Sequence, residues 1–174
     1  MKLFFLSVIL SLALSAQDAG PLMKSIQTRY ATAKLNLIES AEAMPESDYS
    51  YKLTPPQRSF ANWIEHNIEM NYNLCSSLKG EKSPKEKFVK DTAPKASLEK
   101  GLKESFQYCD SAFSSMTDEK ALKEVTAASG QKILPANIMI GLLNSWNQHY
   151  GNLVGYLRTK GVTPPSTARS QNKK

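Results

Sequence analysis

Four stretches of this chain repeat apolar residues every three or four positions, and three of them are closed by proline or glycine. A 3.6-residue period places such residues on one helical face, and that face has to be buried against another. The first stretch, 21–43, carries Leu22, Ile26, Tyr30, Ala33, Leu37, Ser40 and Ala41, with Met44 following. Pro21 suits a first helical turn. Pro45 ends the run, because the residue before a proline disfavours helical geometry. The second, about 57–79, offers Phe60, Trp63, Ile64, Asn67, Met70, Asn71 and Leu74, and Gly80 fits its C-terminal cap. The third, about 95–115, offers Leu98, Leu102, Phe106, Cys109 and Phe113. Gly101 weakens it by up to ~1 kcal/mol relative to Ala. The fourth begins after Pro135 and ends at Lys160-Gly161, with Ile138, Leu142, Ser145, Trp146, His149, Leu153, Tyr156 and Leu157 inward. Pro164-Pro165 blocks its continuation. Residues 45–56, 80–94 and 117–135 read as extended or polar connections, and no internal repeat or strand-rich region is visible. The expected fold class is all-α, a four-helix bundle.

Residues 1–16 stand apart. Lys2 precedes an apolar run from Leu3 to Leu14, interrupted only by Ser7 and Ser11, and small residues follow at Ala13, Ser15 and Ala16. This is the pattern of a secretory signal peptide. The run is short of the roughly 20 residues needed to cross a bilayer, so no stable membrane anchor is expected. No cysteine follows to accept a lipid. The expected organisation is a signal peptide at 1–16, the helical domain at 17–165, and a small, polar, basic, disordered tail at 166–174. The expected location is periplasmic or extracellular. Lys and Arg total 22 against 16 Asp and Glu, a formal net charge of +6. No nucleic-acid motif accompanies that excess, so no nucleic-acid partner is expected. The lysines between Lys79 and Lys103 could serve an anionic surface, but the acidic residues among them fit a solvated face equally well.

Export bears on Cys75 and Cys109, which can pair in an oxidising compartment. Cys75 lies 18 residues after Gln57 and Cys109 lies 14 after Lys95. Parallel, level helices would separate them by ~6 Å along the axis, a tight antiparallel hairpin by ~15 Å. A disulfide needs Cα atoms within ~7 Å. A Cys75–Cys109 bridge therefore implies parallel second and third helices and an up-down-down-up order; the alternative is two separate buried thiols. The fifteen residues of the 80–94 connection can span ~50 Å, more than the ~33 Å of a 22-residue helix.

The chain has two histidines. His66 sits ~14 Å into the second helix and His149 ~16 Å before the end of the fourth. Antiparallel packing of those helices would level the two rings. Levelled histidines build metal sites in bundles. Two are fewer than the three protein ligands usual for catalytic zinc, and hydrogen-bonded core histidines explain them as well. No HExxH, phosphate loop, GxSxG or close Cys-His pair competes. Glu39, Glu42, Glu65 and Glu69 read as solvated helix faces.

SAEAMPESDYSYKLTPPQRSFANWIEHNIEMNYNLCSSLKGEKSP (40–84), SFQYCDSAFSSMTDE (105–119) and NQHYGNLVGYLRTKGVTPPST (147–167) resemble DinB-like domains, especially an exported branch that shares the cysteine pair. The resemblance runs from about Ile26 to Thr167. It implies an up-down-down-up four-helix bundle and a divalent-metal site of three histidines, with zinc, nickel or manganese as the ion. One ligand matches His66. The other two form an HxxxH, whose second member matches His149 and whose first falls on Ser145. A neutral hydroxyl is a weaker donor than imidazole to such metals. The resemblance thus implies an exported protein with a degenerate metal site, small-ligand-binding or non-catalytic. The alternative is a divalent-metal-dependent transferase or hydrolase acting on a small thiol or other small substrate. Homodimers occur among such relatives. Fold alone does not decide between these.

Overall fold

The computed structural model describes residues 18–127 and 130–172. The expected signal peptide, 1–16, lies outside them. Six helices follow in the order α1 (Pro21–Ala43), α2 (Phe60–Lys79), α3 (Lys95–Ser114), α4 (Asp118–Ala121), α5 (Pro135–Thr159) and α6 (Pro165–Gln171). A two-stranded antiparallel ribbon, Val125–Thr126 with Lys132–Ile133, joins α4 to α5. No helix among the described residues is long and apolar enough to cross a membrane.

The directions of the four long helices follow from their cross-links. Asn71 meets Ser105 and Cys75 meets Cys109, a constant offset, so α2 and α3 are parallel. Gln27 reaches the carbonyl of Phe113 at one end of α1, and Lys95 reaches that of Met44 at the other, so α1 and α3 are antiparallel. Phe60 packs on Tyr156 while Asn71 bonds Trp146, so α2 and α5 are antiparallel. The bundle is up-down-down-up, as the cysteine spacing implied. Cys75 and Cys109 form the disulfide, their Cα atoms 5.3 Å apart and both side chains fully buried. Trp146, Tyr156, Phe60, Phe106, Phe113 and Leu37 are among the side chains that fill the space between the helices.

Boundaries moved where a specific bond overrides the apolar pattern. The second helix starts at Phe60 rather than Gln57, because the Ser59 hydroxyl accepts the Asn62 N–H and caps it there. The start of α1 is capped from a distance. Asp118 accepts the N–H groups of Leu22 and Met23, and its own N–H donates to the carbonyl of Ala19. Gly20, at φ 85°, lets the chain pass this carboxylate; a Cβ there would lie 2.4 Å from the Asp118 Cγ. Gly101 has a similar use. Its missing side chain admits Val89 of the 80–94 connection, whose Cγ2 would lie 2.6 Å from a Cβ.

Two expectations are corrected. The tail does not lack structure up to residue 171: Pro165 begins α6, since a proline that ends one helix is well suited to the first turn of the next. Arg169 pairs with Glu39 and with Asn36 on α1, and the Tyr150 hydroxyl donates to that of Ser166. The 117–135 connection also holds structure, because the Thr117 hydroxyl caps α4 by accepting the Lys120 N–H.

The bridge closes a loop between residues 34 apart, for which chain entropy assigns about 4 kcal/mol. A Cys75→Ser, Cys109→Ser variant is expected to lose about 2–4 kcal/mol in urea unfolding. Peptide mapping without reductant is expected to recover the cross-linked pair.

Candidate ligand site at two histidines

Successive turns of α2 present Trp63, His66 and Asn67 toward α5, which answers with Trp146 and His149. The ring centres of His66 and His149 lie 5.0 Å apart, so counting residues along antiparallel helices placed them correctly. Trp63 packs beside both, 5.1 Å from His149 and 6.1 Å from His66. His149 is 8% exposed and Asn67 is fully buried, while His66 is partly open to solvent. Asn67 Nδ2 donates to the Trp63 carbonyl at 2.7 Å, and its Oδ1 lies 3.0 Å from His149 Nδ1. One turn deeper, Asn71 accepts from Trp146 Nε1 at 2.8 Å and donates to Ser105 at 3.0 Å.

This setting favours the neutral form of both imidazoles. Burial pushes His149 down to about 4, helped by the neighbouring His66 and by Arg58. Burial also lowers His66, with Arg58 adding to the effect and Glu69 and Glu65 opposing it. The Arg58 guanidinium lies 5.5 Å from the centre of the Trp63 ring. Trp63 Nε1 is buried without a hydrogen-bond partner among the described residues. Ser145 sits one turn before His149 on α5 and is partly buried, where the resemblance put the missing ligand.

Sequence reasoning missed the roles of Arg58 and Glu65. Glu65 is 8% exposed, accepts from Asn62 and pairs with Lys90, which also reaches Glu69. Glu39 and Glu42 pair with Arg169 and Lys103. Asn67 and Asn71 were legible as amides on an apolar face, though not as the partners of His149 and Trp146.

The donor set falls short of what a tightly held resident ion needs. No group of three or more His, Cys, Asp or Glu side chains that could hold a metal is found among the described residues. Both cysteines are spent in the disulfide, and Glu65 and Glu69 are engaged by Lys90. Two imidazoles remain, below the three protein ligands plus water usual for catalytic zinc, with the Arg58 charge acting on both. A cavity of about 580 Å³ opens elsewhere, at the N-terminal ends of α2 and α3, lined in part by Tyr49, Lys52, Ser59, Asp91 and Lys95. Neither histidine lines it, and its charges are balanced.

The depressed His149 has a consequence for stability. Unfolded, the ring takes a proton near its ordinary 6.5; folded, only near 4. Above pH 6.5 both states are neutral and the group contributes no pH dependence. Below it the unfolded state binds the proton first, so stability falls between pH 6.5 and 4. The expected loss is about 2–3 kcal/mol. Urea unfolding of the wild type and of His149→Gln at pH 7 and pH 4.5 measures it; the variant is expected to lose less over that interval.

Sequence comparison finds no matching family model and no matching curated protein. Comparison with solved structures does find relatives. A DinB-like protein of Bacillus subtilis (YjoA) superposes with a TM-score of 0.64 at 21% identity, over 80% of this chain and 93% of that one. A DinB-like protein of Bacillus cereus gives 0.63 at 14% identity, over 82% and 95%. Element order, helix directions and these superpositions agree: the chain has the DinB-like fold.

Proposed function

We propose that the chain is an exported DinB-like protein that binds a small ligand at His66 and His149, with no tightly held catalytic ion. The observation carrying this reading is the donor set. Two rings whose burial favours the neutral form stand 5.0 Å apart, and Ser145, to which the resemblance assigns the third ligand position, carries a hydroxyl in place of an imidazole. A neutral pair can accept hydrogen bonds without a charge of its own to compensate. The unpartnered Trp63 N–H beside it adds a donor, and an unpaired buried donor is costly unless a ligand or water meets it. Export is supported by the signal-like residues 1–16 and by a buried disulfide, a bond that persists in oxidising compartments.

One observation favours the second reading, a divalent-metal-dependent transferase or hydrolase for a small thiol or similar substrate. Two imidazoles bound to one ion, each nitrogen ~2.0–2.1 Å from it, have ring centres about 5 Å apart, which is the spacing found. Metal content after chelator-free purification separates the readings. The first expects substoichiometric zinc, nickel and manganese. Stoichiometric metal that is lost in a His66→Ala, His149→Ala variant would establish the second.

Ser145→His is expected to raise nickel or zinc affinity at least tenfold in calorimetric titration, because it restores a third imidazole one turn from His149. An unchanged affinity would show that position 145 does not face the pair. N-terminal sequencing of protein recovered outside the cytoplasm is expected to begin near Gln17; an intact Met1 there would overturn export by a cleaved signal.

A further inference from the structure

We propose that Asn67 is a positioning residue: it holds His149 with its proton on Nδ1, leaving Nε2 as the unprotonated, accepting nitrogen of the site shared with His66. The inference rests on the reading above that the two histidines form one site. It follows from counting donors and acceptors. The Trp63 carbonyl can only accept, so the group 2.7 Å from it must be the amide nitrogen of Asn67. The opposite orientation would set two oxygens against each other. Asn67 Oδ1 is thereby turned to His149 Nδ1 at 3.0 Å. That oxygen carries no hydrogen, so the ring nitrogen donates. A neutral imidazole has one proton to place, and Asn67 takes it at Nδ1. Nε2 is left with its lone pair.

Asn67 cannot easily relax from this arrangement. It is fully buried, and its carbonyl partner lies one turn back on the same helix. Rotating the amide would set its oxygen against the Trp63 carbonyl and its NH2 group against the His149 N–H, two like-to-like contacts in place of two hydrogen bonds. His149 therefore offers the site an acceptor that needs to lose no proton first. The ligands it suits carry an O–H, N–H or S–H group, or are metal ions. A group that only accepts, such as a carboxylate, gains nothing at Nε2.

The tautomer can be read without any ligand. Long-range proton–nitrogen correlation spectra of the full disulfide-bonded chain, with both histidines nitrogen-15 labelled and assigned through His66→Gln, are expected to show His149 protonated on Nδ1 alone at pH 7. A proton on Nε2, or a pattern averaged over both nitrogens, overturns the proposal. Asn67→Ala is expected to release the ring to a mixture of tautomers; an unchanged Nδ1–H form overturns the role of Asn67. Asn67→Asp keeps an acceptor at the same place and is expected to retain Nδ1–H, which tests the same point if the alanine variant does not fold. A second measurement uses nickel as the probe on Ser145→His. Adding Asn67→Ala is expected to weaken binding by about tenfold or more, and equal affinities would count against positioning. If Ser145→His itself binds no nickel, the shared-site reading fails, while the spectra still decide the tautomer.

Discussion

Asn67, Asn71 and Cys75 occupy three successive turns of one face of α2, and each is bonded to another helix. Asn67 meets His149 on α5, Asn71 meets Trp146 on α5 and Ser105 on α3, and Cys75 is bridged to Cys109 on α3. An apolar interface alone tolerates sliding by a turn, since many apolar pairings are nearly equivalent. This row does not. A one-turn slip would strand fully buried amides, at about 1–3 kcal/mol for each unpaired group, and would break the bridge. The register of α2 against two neighbours at once is therefore set by directional bonds inside an otherwise apolar core. The level at which His66 and His149 meet is a consequence of that register.

The four long helices could be read from the chain because their information is local and repeated. Seven positions in 21–43 were read on one face, so a single polar exception such as Ser40 does not obscure it. Their directions were legible through one count, the distance of each cysteine from the start of its helix. What escaped the sequence depends on single long-range partners. Asp118 caps α1 from 95 or more positions away, and Asp118 in isolation reads as one more acidic residue in a polar connection. The seven-residue helix α6 escaped for a related reason: Ser166, Thr167 and Ala168 have no apolar period, and the segment is held by Arg169 and by Tyr150.

The site divides in the same way. Its two rings were located by length along antiparallel helices, whereas Ser145 entered as a ligand position only through the resemblance. Periodicity could mark Asn67 as inward, but it could not say which atom of the amide faces which neighbour, because that depends on the carbonyl of Trp63. Arg58 was hidden for another reason. It fell within the expected second stretch but off its apolar face, and only the structure shows it ahead of α2, where its charge lowers the proton affinity of both histidines. Glu65 looked like a solvated residue and is buried, which Asn62 and Lys90 make tolerable by bonding it.

The row of bonds along α2 also explains how the site and the bundle can be separate matters. Trp146, fully buried and bonded to Asn71, anchors α5 at the position immediately after Ser145. Residue 145 itself is only partly buried, so its identity has little leverage on packing. Imidazole or hydroxyl can stand there while α5 keeps its place, and ligand-binding strength can change without a matching change in stability. His149 has no such freedom. Its ring satisfies Asn67 and packs against Trp63, so removing it would unsettle the core as well as the site. The presence of His149 is therefore weaker testimony to metal binding than the residue at 145.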